Sequence, residues 1–286
     1  MDILVLSVLN GISFGSILFL LGSGLSLILG VMGILNLTHG ALYMIAAYLG
    51  WSLAIQYKLN FGLAVLGGGI AAGLVGILIE RGFLRGLYKQ LNEQVLVTFG
   101  FVHIITNLTI WIWGTTLRAP FTAPFLSFSI PIMGWSYPVA RLSIILIGLI
   151  LAVVLWWLQE KTRIGAIIRA GMDNKQMTMG LGINVEKISG IIFFFGAFMA
   201  GFAGVIGSQL LGPNQELAID VLLLSLIVIV VGGMGSVQGA LFGGMLIGLI
   251  DSFGKVLFPE LAMFTMYLAM IIILIVRPHG LLGRKV

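Results

Sequence analysis

The chain has 286 residues, 59% of them hydrophobic and only 9% charged, with a mean hydropathy of +1.15. A water-soluble domain of this size needs far more polar surface, so the composition excludes one and requires an integral membrane protein. The formal charge of +5 comes from basic residues gathered in short loops, where they report orientation rather than a nucleic-acid partner. With no cysteine, the chain has no disulfides, thiolate nucleophiles or thiolate metal ligands.

Apolar runs at 3–29, 61–79, 144–158 and 188–211 are long enough, or nearly so, to cross a hydrocarbon core of about 30 Å as helices. The alternating pattern of a membrane barrel is absent. The first run lacks a basic leader and a cleavage site, so it reads as a retained span. The stretch 30–44, "GVMGILNLTHGALYM", then places Asn36, Thr38, His39 and Tyr43 among glycines. Asn36, His39 and Tyr43 share one face of a continuous helix. Polar residues in hydrocarbon turn inward, so this face is either a pathway wall or gate, or a packed interhelical contact. For His39 the alternatives are a ligand for a substrate carboxylate and a satisfied interhelical histidine.

Further along, Glu80 abuts Arg81, which suits an ion pair or snorkelling at a boundary. Thr98, His103, Thr106, Asn107 and Thr109 form a polar strip in the next span. His103 and Asn107, one turn apart, are placed to hydrogen-bond to each other or to a neighbouring helix, and pairing with a neighbouring helix is the expected use. Residues 115–137 are proline-rich and read as an external loop. The longest hydrophilic stretch, 159–187, holds a predicted short helix from about Arg163 to Met179, ended by Gly180 and Gly182. Small residues recur four apart, as in Gly196, Ala200, Gly204 and Ser208, which predicts close helix packing.

Basic clusters at 81–89, 161–187 and 277–285 all face the cytoplasm if the positive-inside rule holds. Parity then fails if 221–250 is one span, because the basic tail would be stranded outside. Two shorter segments joined at "GGMGS", with a break near 232–236, remove the conflict. "HGALYM" at 39–44 echoes "QGALFG" at 238–243, which gives the two breaks a shared role and brings Ser236 and Gln238 into the candidate pathway.

No zinc-protease, nucleophile-elbow or phosphate-loop motif is present. The chain is therefore not expected to be an enzyme, and any ATP is expected on partner subunits. Several ordered segments resemble permeases of branched-chain amino-acid ABC importers of the LivH type. They are Asn36-Leu37-Thr38-His39-Gly40, "VTFGFVHII" at 97–105, and the loop residues Thr162, Arg163, Gly165, Arg169, Ala170, Gly182, Ile183 and Asn184. "GGMGSVQGALFGGMLIGLIDS" and "RPHGLLGR" complete the set. One departure stands at Lys175, Gln176, Met177 and Thr178, where relatives often carry alanines and an acid.

The resemblance implies an all-α, polytopic bundle of about eight or nine membrane segments, one permease domain over 1–286, in a bacterial inner membrane with a cytoplasmic C-terminus. It implies a second homologous permease, ATP-binding subunits, and a periplasmic or extracellular substrate-binding protein. Arg163, Gly165, Arg169, Asp173, Gly182 and Asn184 are expected to couple to the ATPase. The implied function is import of branched-chain or related amino acids by alternating access. Urea or amide transport within the family stays open, as does a stand-alone channel.

Overall fold

A computed structural model describes residues 2–88, 90–132, 134–173, 175–180 and 185–283. The elements in chain order are α1 (Asp2–Met32), α2 (Thr38–Trp51), α3 (Phe61–Ile79), α4 (Leu91–Trp113), a hairpin of β1 (Ser129–Ile132) and β2 (Trp135–Pro138), and α5 (Val139–Lys161). There follow α6 (Arg163–Asp173), α7 (Lys175–Gly180), α8 (Val185–Gly207), α9 (Leu217–Gly232), α10 (Val237–Leu257) and α11 (Ala262–Val276). Among the described residues, six helices are long and apolar enough to cross a membrane, and two shorter apolar ones cover Leu217–Gly232 and Phe264–Val276. The predicted short cytoplasmic helix is thus two helices, α6 and α7. The external loop holds the antiparallel hairpin, paired Ser129 with Pro138 through Ile132 with Trp135.

Glycine makes the bundle possible. In lipid there is no hydrophobic drive between helices, so packing depends on close backbone approach. Helices α1 and α10 run antiparallel with Gly11 and Gly15 set against Gly248 and Gly244; a methyl group at Gly15 would stand 2.9 Å from the Gly244 carbonyl oxygen. On α3, Gly69, Gly73 and Gly76 face Phe198, Phe194 and Ala197 of α8. The stripe predicted on α8 also packs: Gly196 meets Ile28 and Gly24 of α1, and Gly204 meets the Tyr43 backbone of α2. These contacts bury α1, α2, α8, α9 and α10 in the middle and leave α3, α4, α5 and α11 at the rim.

The predicted break is present between α9 and α10. Gly233 (φ +105°) and Gly235 (φ +79°) turn the chain through backbone conformations that L side chains rarely adopt. The two helices return antiparallel, with Gly232 against Gly239 and Val228 against Gly243. The C-terminal tail closes this turn. Leu281 N–H donates to the Val231 carbonyl (2.8 Å) and Leu282 N–H to that of Gly232 (2.9 Å), so carbonyls left over at the end of α9 are satisfied.

The ends of the molecule differ in charge. One end gathers the α9–α10 turn, the tail, the end of α5 and α6, and the close of α1, where Gly30 packs on Gly235. Arg81 lies beside Gly190 near the start of α8, which adds the end of α3 to this group. The other end joins the α4–α5 loop to the α8–α9 loop: Arg118 N–H donates to the Pro213 carbonyl (3.1 Å) and Phe121 N–H to that of Ser208 (3.2 Å).

Candidate translocation and coupling sites

Helix α1 ends at Met32, and the chain reverses at Gly33 (φ +66°). Residues 33–36 carry no helix, so they climb back along α1 before α2 begins at Thr38. The height of that start is fixed by His39, whose Nε2 lies 3.0 Å from the Leu21 carbonyl oxygen. Leu21 is eleven residues short of Met32, or about 16 Å into the bundle at 1.5 Å per residue. Helix α2 is therefore a half-helix whose N-terminus lies deep in the protein, as non-helical backbone at membrane depth must when no water reaches it.

Asn36 caps that N-terminus. Its Oδ1 accepts from Thr38 N–H (3.1 Å) and from the Thr38 hydroxyl, which answers a donor that a helix start leaves orphaned. Asn36, Thr38, His39 and Tyr43 are all fully buried. Yet Asn36 Nδ2, His39 Nδ1, the Tyr43 hydroxyl and the buried Ser26 hydroxyl find no hydrogen-bond partner among the described residues. Unpaired polar atoms in an apolar interior are costly. Gly40 lets α2 sit this close, since a methyl group there would overlap the Ala218 carbonyl oxygen of α9.

The second break is built alike. Ser236 caps α10, its Oγ accepting from Gly239 N–H at 2.9 Å, and Gln238 is exposed one residue into the helix. Each helix thus follows a positive-φ glycine, has a side-chain oxygen accepting from a first-turn N–H, and packs its third residue, Gly40 or Gly239, onto a neighbouring backbone. Ser236 and Gln238 line a polar cleft with Glu160, Arg169 and Leu282.

The strip on α4 divides. Thr98 is buried and donates to the Gln94 carbonyl (2.8 Å), whereas His103 and Asn107 are exposed and face away from the body. Asn107 Nδ2 donates to the His103 carbonyl (2.8 Å), so within this chain the strip does not pair with a neighbouring helix as expected. The sequence-predicted pathway residues accordingly fall in three places: the half-helix start, the α4 strip and the α10 cap.

At the coupling segment, Thr162 Oγ accepts from Gly165 N–H (3.1 Å) and caps α6. Gly165 packs on the last α5 carbonyls, where a methyl group would overlap Leu158 and Gln159. Arg169 turns back, donating to the Gln159 carbonyl and pairing with Glu160 at 3.5 Å. Arg163 is exposed. Gly182 and Asn184 lie outside the described residues, and of Asp173 only its backbone at the end of α6 is described.

Two arrangements were not read from the sequence. Glu80 does not snorkel: it is 1% exposed and accepts a hydrogen bond from the Tyr88 hydroxyl, because a π-turn at Glu80–Leu84 folds the chain back over it. Arg141, in the first turn of α5, donates to Asn10 Oδ1 of α1. An arginine at the edge of an apolar run was the available signal for the second.

A buried half-helix, a glycine-broken hairpin and an amphipathic helix at one end define a polytopic α-helical membrane permease. The family model described as "Branched-chain amino acid transport system / permease component" matches residues 7–274, and the chain belongs to that family. It is 28% identical to the high-affinity branched-chain amino acid transport system permease protein BraD of Pseudomonas aeruginosa, and 26% identical to LivH of Salmonella typhimurium. Each match covers 96% of this chain and 94% of the relative. The fold also resembles a chain of PsaBC from Streptococcus pneumoniae, solved in complex with Fab. That likeness has a TM-score of 0.52 and 11% identity, covering 93% of this chain and 89% of that one. The protein is thus a multi-pass inner-membrane permease subunit of an ABC-type importer, and not itself the ATPase.

Proposed function

We propose that this permease imports branched-chain or related amino acids by alternating access, driven by ATP hydrolysed on partner subunits. It pairs with a second homologous permease, receives substrate from a soluble binding protein at the hairpin end, and has its C-terminus in the cytoplasm. The 160–187 segment couples it to the ATPase through Arg163, Gly165, Arg169, Asp173, Gly182 and Asn184. Asn36, Thr38, His39 and Tyr43 serve as a gate, with Ser236 and Gln238 at the cytoplasmic mouth.

The observation that carries this reading is the placement of α6. It is held by Thr162, Gly165 and the Arg169–Glu160 pair against the end of α5, beside the α9–α10 turn and the tail. A push on α6 is thereby delivered to the hairpin and, through Gly30 on Gly235, to the end of α1 and the gate. ATP would act only through its different affinity for the two permease states. In proteoliposomes holding the ATPases, the second permease and the binding protein, labelled leucine should accumulate with ATP and not without it. Uptake by the permease alone would mark a channel instead, and competition by urea but not by leucine would move the substrate to the amide class.

A further inference from the structure

The outward faces at the rim of the bundle are not alike. On α3 the exposed large side chains are Leu63, Leu66, Ile70, Leu74 and Leu78; on α5 they are leucine, isoleucine, valine and tryptophan, and on α11 they are similarly apolar. These faces suit lipid. Helix α4 differs: Gly100, His103 and Asn107 are exposed along one stripe between Leu96 and Trp111, spaced three or four apart as on a helix seam. His103 lies twelve residues after Leu91 and ten before Trp113, so about 15 Å or more from either end. Side chains this short cannot snorkel out from that depth, and polar groups there face protein or water rather than lipid.

Within the chain neither residue is used up. The His103 imidazole has no hydrogen-bond partner among the described residues and meets only the Phe99 ring, edge-on at 4.7 Å. Asn107 spends one amide hydrogen on the His103 carbonyl of its own helix, and its other amide hydrogen and its oxygen have no partner among the described residues. Both are hydrogen-bonding side chains, so two such stripes brought face to face offer donors and acceptors to one another. Gly100, with nothing within 4 Å of an added methyl group, would allow the two helices to close in.

We propose that the Gly100–His103–Asn107 stripe of α4 is the seam against which the second permease subunit packs, presenting its own equivalent helix about a two-fold or pseudo-two-fold axis. The proposal rests on the pairing of permeases under the proposed function and adds which face makes the pair. The partner is a membrane-embedded helix bearing hydrogen-bonding side chains.

Photo-crosslinking in membranes holding the assembled transporter tests it. A benzoylphenylalanine is placed in turn at His103 and Asn107, and for comparison at Ile70 on α3, Leu149 on α5 and Ile272 on α11. Products are identified by peptide mass spectrometry. His103 and Asn107 should give severalfold more product with this chain, or with another permease of the same family, than any comparison position. Permease–permease product from Leu149 or Ile272, with only lipid adducts from α4, would overturn the seam while leaving the pairing intact. A transporter that takes up substrate with a single permease, giving no such product from any position, would overturn the pairing and the seam together.

Discussion

At the scale of single residues, His39 and Gly40 are neighbours that do different work. Gly40 carries packing: an added methyl group meets the α9 backbone at Ala218, and backbone cannot move aside as a flexible side chain can. His39 has one nitrogen on the Leu21 carbonyl and the other unpaired in a buried cluster, which is poor use of a histidine whose only task is to hold two helices together. Gly40→Ala should therefore lower the yield of folded permease and its thermal stability sharply in detergent. His39→Ala should cost about 2–4 kcal/mol of stability as a buried large-to-small change, remain assembled with the ATPases, and lose most ATP-driven uptake. Full uptake in His39→Ala would reduce the cluster to packing. The asparagine and histidine stood out in the sequence because polar residues are so few there. Which of them faced inward did not, because α4 is apolar on both sides of its strip and periodicity cannot choose between two hydrocarbon-compatible faces.

At the scale of elements, the glycine break was legible because two constraints met at one place: a parity conflict in the basic loops and the cluster "GGMGS". The run at 61–79 was equally plain and is α3 to the residue. The half-helix start of α2 was only partly legible. The echo between 39–44 and 238–243 implied a break in this stretch but gave neither its position nor its depth, which is set by the contact of His39 with the Leu21 carbonyl. The hairpin at 129–138 was hidden by its prolines, Pro131 and Pro138, which signal a loop and are tolerated in so short a two-stranded ribbon. The division of the coupling segment into α6 and α7 was likewise unread. The break carries a prediction of its own. Gly233→Ala and Gly235→Ala each force an L side chain to a positive φ, at a cost of about 1–2 kcal/mol. At Gly233 the methyl group would also overlap Gly283 of the tail. Gly233→Ala should therefore destabilise more than Gly235→Ala in thermal unfolding, and removing residues 277–286 should narrow the difference between them. Equal effects in the full chain would show that the tail does not bear on the turn.

At the scale of the whole molecule, the interlocking contacts fix which loops share an end, and the charge difference between the ends is the basis of the proposed orientation. Gly30 on Gly235, the tail on Val231 and Gly232, and Arg169 on Glu160 bring Arg163, Arg169 and Arg277 together; the close approach of Arg81 to Gly190 adds the end of α3. The opposite end, tied by Arg118 to Pro213, is poorer in basic residues and holds Glu216 and Glu260. If α2 with its re-entrant lead and α9 to α11 each count as a passage, the described residues make nine. An odd number places the start of α1 and the tail on opposite sides, as the antiparallel packing of α1 on α10 requires. The proposed function has the tail in the cytoplasm, in line with the positive-inside rule. The absence of native cysteine makes this directly measurable with single-cysteine variants and a membrane-impermeant thiol reagent added to intact cells. Glu260→Cys, in the exposed α10–α11 connection, and Trp135→Cys in the hairpin should label from outside; Arg163→Cys and Met234→Cys should label only after the membrane is opened. Were Glu260→Cys to share the behaviour of Arg163→Cys, 221–250 would have to cross the membrane once, and the turn at Gly233 could not lie on the coupling side.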